Sequence, residues 1–244
     1  LVGLLIVGFV AGTLYLYPSS APRPGSGAET PPRAVRGVLD ASGWNFSHGN
    51  LRLDGEWELY FGQLLDPTDF PGLEAGAAGI PSGSSHGQGY VTVPGSWIPE
   101  GSTAGPLPRH GVATYRLLIT GVPHRSFDTP WALEIPYART AYRLWVDDML
   151  VASNGVVSEN PEEARPQYKP LVVTLPTGGG LSDDPASPHT LQLVLQIANH
   201  HFRSGGIPKS LILGPAEQVN RERQARLMTQ MFSMGAIALM AVYF

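Results

Sequence analysis

The sequence predicts an all-β fold, an antiparallel β-sandwich flanked by N- and C-terminal transmembrane helices. Three observations point there. Short stretches alternate apolar and polar side chains with a period of two; 29 glycines and 23 prolines punctuate a chain of 244 residues; and both ends are uncharged apolar runs. Period-two alternation marks a strand with one face buried, and frequent Gly and Pro favour turns over long helices.

In chain order, Leu1 to Tyr17 carries no charge and approaches the roughly 20 apolar residues that cross a bilayer, so it reads as a signal anchor or transmembrane helix. Residues 18–34, rich in Pro, Gly and Ser, read as a linker. Residues 35–213 carry the strand pattern. Leu51, Leu53, Trp57 and Leu59 share one parity, against Arg52, Asp54, Glu56 and Glu58, with Gly55 at a bulge or close approach. Tyr115, Leu117 and Ile119 repeat the pattern. Leu191, Leu193, Leu195 and Ile197 give its cleanest form, with Gln192 and Gln196 expected on the more exposed face. Shorter strands are expected at Trp131–Ile135, Tyr142–Val146, Leu150–Ser153, Leu171–Leu175 and Ser210–Leu213, separated by turn residues. Pro67 to Gly89 lacks the pattern and reads as an exposed insertion.

After Leu213 the periodicity changes. Gly214-Pro215 and Glu217 suit a helix start, and Arg221, Glu222, Arg223 and Arg226 lead into the uncharged run Leu227 to Phe244. Residues 214–244 thus read as a juxtamembrane helix running into the first helix of a truncated membrane domain.

A formal net charge of −4 gives no basic face for nucleic acid, and with no cysteine the domain needs no disulfide. The chain has no Gly-x-Ser-x-Gly elbow, no His-Glu-x-x-His, no Walker loop and no cysteine nucleophile, so no enzymatic activity is expected of it. Glu134 and Asp147 could be offered as a glycosidase pair only if folding set them across a cleft.

Candidate binding residues are those that combine donors or flat rings with turn-forming neighbours. Arg203 precedes Gly205-Gly206, which can bring backbone and guanidinium to one surface. Arg139 lies in Tyr137-Ala138-Arg139-Thr140, where pairing to a neighbouring strand is the alternative. His200 and His201 point apart if extended, so one metal does not readily take both; His200 is either packed or a ligand contact. Trp97, flanked by Pro94-Gly95 and Pro99, and Tyr168, between Pro166 and Pro170, suit stacking on a sugar ring, although in a sandwich most Trp residues are core.

Gly55-Glu56-Trp57, Val93-Pro94-Gly95-Ser96-Trp97 and Gly111-Val112-Ala113-Thr114-Tyr115-Arg116 occur in the order seen in galactose-binding-like jelly-roll domains of β-galactosidases and β-glucuronidases, which they resemble. Leu144 to Gly155 resembles their hairpin, with Asp147-Asp148 where Asn-Gly is usual. With Asn199 to Gly206, Leu213-Gly214-Pro215 and the helix beyond, residues 35–244 resemble the bacterial seven-transmembrane receptors with diverse intracellular signalling modules. The resemblance implies a jelly-roll sensor outside the cell membrane, with a small-molecule or carbohydrate ligand. The implied partners are that ligand and the membrane, with a homodimer possible and no nucleic acid; no cofactor and no metal are expected. An anchored carbohydrate-binding or adhesion module, and an accessory domain of a membrane-bound glycosidase, are the alternatives.

Overall fold

Strands form where the alternation is cleanest, and the computed structural model describes them within residues 30–70, 88–97, 107–123, 130–175 and 189–243. In chain order they are β1 (Val38–Asp40), β2 (Leu51–Arg52), β3 (Gly55–Phe61), β4 (Gln88–Val93), β5 (Gly95–Ser96), β6 (Gly111–Val122), β7 (Trp131–Ile135), β8 (Ala141–Val146), β9 (Met149–Asn154), β10 (Leu171–Thr174), β11 (His189–Asn199), β12 (Gly206–Ile207) and β13 (Ile212–Pro215), followed by helix α1 (Ala216–Tyr243). The larger sheet has the order β4-β3-β6-β11-β8-β9, with β1 joined to β6 in parallel; the smaller is β10-β7-β13-β2; β12 and β5 pair separately.

The two larger sheets share one apolar core. Trp57, Leu59, Tyr115, Leu117, Leu144 and the inward side chains of β11 meet Leu51, Leu133, Ile135 and Leu213 of the smaller sheet. Each such side chain removed from water contributes about 1.5–3 kcal/mol, enough to decide which strand face turns inward. Leu191, Leu193, Leu195 and Ile197 are all on that inner face, as their parity requires. Gly55 makes the expected close approach: its φ is +125°, and a Cβ there would stand 2.3 Å from the Ala34 carbonyl oxygen. The β8–β9 hairpin turns through Asp147 at φ +55°, with Val146 opposite Met149. Asp147 also accepts a hydrogen bond from the Gln192 backbone at 3.0 Å.

The opposite face of the larger sheet departs from expectation. Gln192 and Gln196 are buried, at 6% and 4% exposure. The segment after β3, expected to open into an exposed insertion from Pro67, instead lies over this face. Leu65 donates its N–H to Thr114 Oγ1 at 2.9 Å, Thr114 donates to the Gln63 carbonyl, and Gln196 Nε2 donates to the Leu65 carbonyl. A capped 3-10 turn at Pro67–Asp69 then places Phe70 in a cluster with Tyr60 and Val194. The expectation failed because parity distinguishes two faces but cannot tell that a loop covers the second. Residues 71–87 lie outside the described set.

Under that cover sits a buried charge. Arg116 is 0% exposed; its guanidinium donates to Glu58 Oε2 at 3.2 Å and to Gln192 Oε1 at 3.0 and 2.9 Å, and stacks 4.9 Å from the Phe70 ring centroid. Tyr60 donates its hydroxyl to the same Glu58 oxygen at 2.8 Å. Ions removed from water are tolerated only with this kind of pairing.

One compact unit runs from Pro31 to Val219. Ala34 bridges Gly55 at one end. At the other, Gly214-Pro215 completes β13 opposite Ala132 and Trp131 before α1 begins, and Val219 is buried. The rest of α1 belongs to a second unit. It is helical from Leu227 to Tyr243, as expected, but among the described residues no helix is long and apolar enough to cross a membrane. Thr229, Gln230 and Ser233 interrupt its apolar run. Leu1–Tyr17, the other expected transmembrane helix, lies outside the described residues.

Two predictions follow from the buried polar groups. Arg116→Met leaves the Glu58 carboxylate without its guanidinium and should lower unfolding free energy by about 3–5 kcal/mol, whereas a further Glu58→Met change should restore part of it. Urea denaturation of both variants checks this; equal loss in the single and double variants would contradict it. Burial pushes the Tyr142 phenol up to about 12, with Asn154 drawing it partly back, and raises Tyr115 and Tyr60 as well. A phenol whose folded value is raised contributes stability below its unfolded value and loses it as pH rises through the folded one. The urea midpoint should therefore hold to about pH 10 and fall above it.

Candidate functional site

The connection from β7 to β8 begins at Pro136, which has no N–H to continue a ladder, and carries Tyr137 and Arg139 outward. Two other segments meet it. Residues 165–170 approach through Gln167, whose N–H donates to the Thr140 carbonyl at 3.1 Å. Residues 200–210 approach through Gly206, whose carbonyl accepts from Arg139 N–H at 3.0 Å. Gly206 has φ +129°, and a Cβ there would fall 2.6 Å from the Gly95 carbonyl oxygen, so glycine alone fits the turn.

Side chains interleave where these segments meet. The Arg139 guanidinium lies 4.7 Å from the Phe202 ring centroid; the Lys209 ammonium lies 5.7 Å from that of Tyr137; and the Tyr137 and Tyr168 rings stand edge to face at 6.4 Å. Tyr168 is 54% exposed. Arg203, next to Phe202, is exposed. Arg139 and Tyr168 are thus brought to one surface, with Arg203 bordering it through Phe202.

His200 is half-buried, with Nε2 3.0 Å from the Ser158 carbonyl. A carbonyl can only accept, so that nitrogen carries the proton and the ring braces the 158–163 segment. Among the described residues no group of three or more His, Asp or Glu side chains could hold a metal ion. Glu134 sits buried in β7 of the smaller sheet and Asp147 in the hairpin turn of the larger, each in its own strand framework.

Trp97 requires a correction. It is fully buried, donates Nε1–H to the Pro108 carbonyl at 3.1 Å, and meets Phe61 edge-on at 5.4 Å. It cannot stack on a ligand. Its flanking Pro and Gly suggested a loop, but Gly95-Ser96 pairs with Gly206-Ile207, and Trp97 N–H donates to the Gly205 carbonyl, which draws the indole under the turn. Sequence reasoning missed Tyr137, Phe202 and Lys209 as site members. Tyr137 and Phe202 each lie within two residues of a chosen arginine, which was a usable signal; Lys209 carried none.

No protein-family model matches the chain, and no curated protein matches it. Among solved structures, a β-glucuronidase of Ruminococcus gnavus aligns with 67% of this chain and 28% of its own, at TM-score 0.43 and 14% identity. A glycosyl hydrolase family 2 member from Bacteroides cellulosilyticus aligns at TM-score 0.42 and 13% identity, over 68% of this chain and 20% of its own. A β-galacturonidase of Eisenbergiella tayi gives 0.37 and 16%, over 67% and 24%. The chain spans under a third of each of these proteins, and likeness this slight carries no argument.

Gly205 lies against the Trp97 ring: a Cβ there would stand 2.2 Å from the indole. Gly205→Ala should therefore cost about 1–3 kcal/mol through overpacking and shift Trp97 fluorescence. An unchanged denaturation midpoint would show that the turn gives way without strain.

Proposed function

We propose that residues 31–219 form the extracytoplasmic ligand-sensing domain of a bacterial transmembrane signalling receptor, with a galactose-binding-like jelly-roll topology and a carbohydrate or other small polar ligand. On this reading the domain binds and does not catalyse, and it works at the cell membrane. One observation carries it: the segment bearing Arg203 and Lys209 continues through a single strand into α1. β13 is hydrogen-bonded on both sides, to β7 and β2, and β7 itself leads into Tyr137 and Arg139. Because β13 runs antiparallel to β7, it starts beside the site and ends beside Trp131, where the helix begins.

The first helical turn is fastened to the sandwich. Ala216 N–H donates to the Pro130 carbonyl at 2.8 Å, and Val219 is buried. The Gln218 amide, oriented to satisfy its neighbours, donates to the Phe46 carbonyl at 3.2 Å and accepts from Asn50 N–H at 3.1 Å. A packed strand fixed at both edges transmits displacement instead of absorbing it. Beyond this turn α1 exposes Leu227, Met228, Met231, Phe232, Met234, Ile237 and Leu239. So many exposed apolar side chains on one helix support a lipid or protein surround over water.

The absence of cysteine makes the reading testable with single introduced thiols. Gly43 is exposed and has open space around it, so Gly43→Cys should react with a membrane-impermeant maleimide in intact cells. Labelling only after lysis would refute the extracytoplasmic assignment. With Gln224→Cys in α1, ligand should change the rate of thiol modification or cross-linking. A rate unaffected by saturating ligand would favour the anchored binding module without a signalling role.

A further inference from the structure

The chain is acidic overall, at a net charge of −4, yet the three segments that form the site are not. Residues 136–140, 165–170 and 200–210 contain Arg139, Arg165, Lys169, Arg203 and Lys209 and no Asp or Glu. Arg165 is turned back on its own segment, donating to the Glu162 and Ala164 carbonyls. Of the carboxylates on adjoining segments, Glu163 accepts from Ser158 and Asn160, Asp54 is ion-paired with Arg52, which also donates to Ser210, and Glu159 and Glu162 are exposed. Within these three segments the sequence supplies positive charge and no carboxylate.

We infer that the surface formed by Tyr137, Arg139, Tyr168, Phe202, Arg203 and Lys209 selects a carboxylated saccharide, a hexuronate, over a neutral sugar. The inference rests on the ligand-binding reading above and adds the sign of the ligand's charge. Cations and rings alternate here. Arg139 lies over Phe202 and Lys209 over Tyr137, so both are held near the surface by the negative faces of aromatic rings. A guanidinium stacked through its flat face keeps its edge N–H groups for a bidentate carboxylate. The exposed Tyr168 ring offers an apolar plane for the C–H face of a pyranose. A lipid surface would attract the same cations, but it does not call for the fixed edge donors that a single carboxylate engages.

The test is titration of the purified full chain with a panel of hexuronate oligosaccharides, with their carboxyl-reduced neutral counterparts, and with phosphatidylserine vesicles. At least one uronate should bind, and its reduced counterpart should bind about tenfold or more weakly. Arg203→Gln and Lys209→Gln should each weaken uronate binding about three- to tenfold, with the thermal midpoint unchanged. Equal affinity for the acid and its reduced form would overturn the charge assignment and leave the saccharide-binding reading standing. Failure of every sugar, charged and neutral, would overturn both. Vesicle binding that these same variants abolish, without sugar binding, would overturn the inference in favour of a lipid surface.

Discussion

The guanidinium of Arg116 is the constraint around which the larger sheet is arranged. It sits on β6, the strand that pairs with β1, β3 and β11, and it holds Glu58 on β3 and Gln192 on β11. A positive charge at that place cannot be left dry without partners, since the cost of stripping an ion of water is several kcal/mol even after relaxation. Phe70 closes the remaining side, so the 62–70 segment must lie over the sheet for the charge to be buried at all. One residue thereby links three adjacent strands to the layer outside them. Register is specified twice, by the apolar inner face and by this polar outer one.

The end of the sandwich is built on different terms. Close backbone approaches hold it over the edge of the core: Gly206 beside Gly95, Gly205 against the buried Trp97, and Arg139 bonded to Gly206. These contacts leave side chains free to present themselves outward, as a binding surface requires. Trp97 contributes from beneath, as the platform that sets the turn. Arg203 is exposed on a loop that leads first into β12 and then into β13. The connection from Lys209 to the helix is short, and most of it is the hydrogen-bonded strand β13.

How much of this was legible in the sequence varied by element. Trp131–Ile135 was readable to the residue, and β8, β9 and β11 within a few residues, because alternation of side chains over a half-buried strand leaves a local imprint. β1, β12 and the pairing role of β5 left none: two or three residues are too few for a period. On the candidate surface, Arg139 was singled out for its donors and Tyr168 for its flanking prolines. Trp97 was misread for the same reason, since proline and glycine mark a change of direction but not which side of it faces water.

By itself the sequence determined the all-β class, the inward face of β11 and the helical end of the chain, all of which are written in patterns spanning a few residues. Tertiary structure alone decided that Gln192 and Gln196 are buried, that Trp97 is core, and that Tyr137, Phe202 and Lys209 join the surface. These depend on contacts between segments far apart in the chain: residues 63–70 over β11, and 205–206 against 95–97. Parity sorts side chains into two faces; only packing says what covers each one.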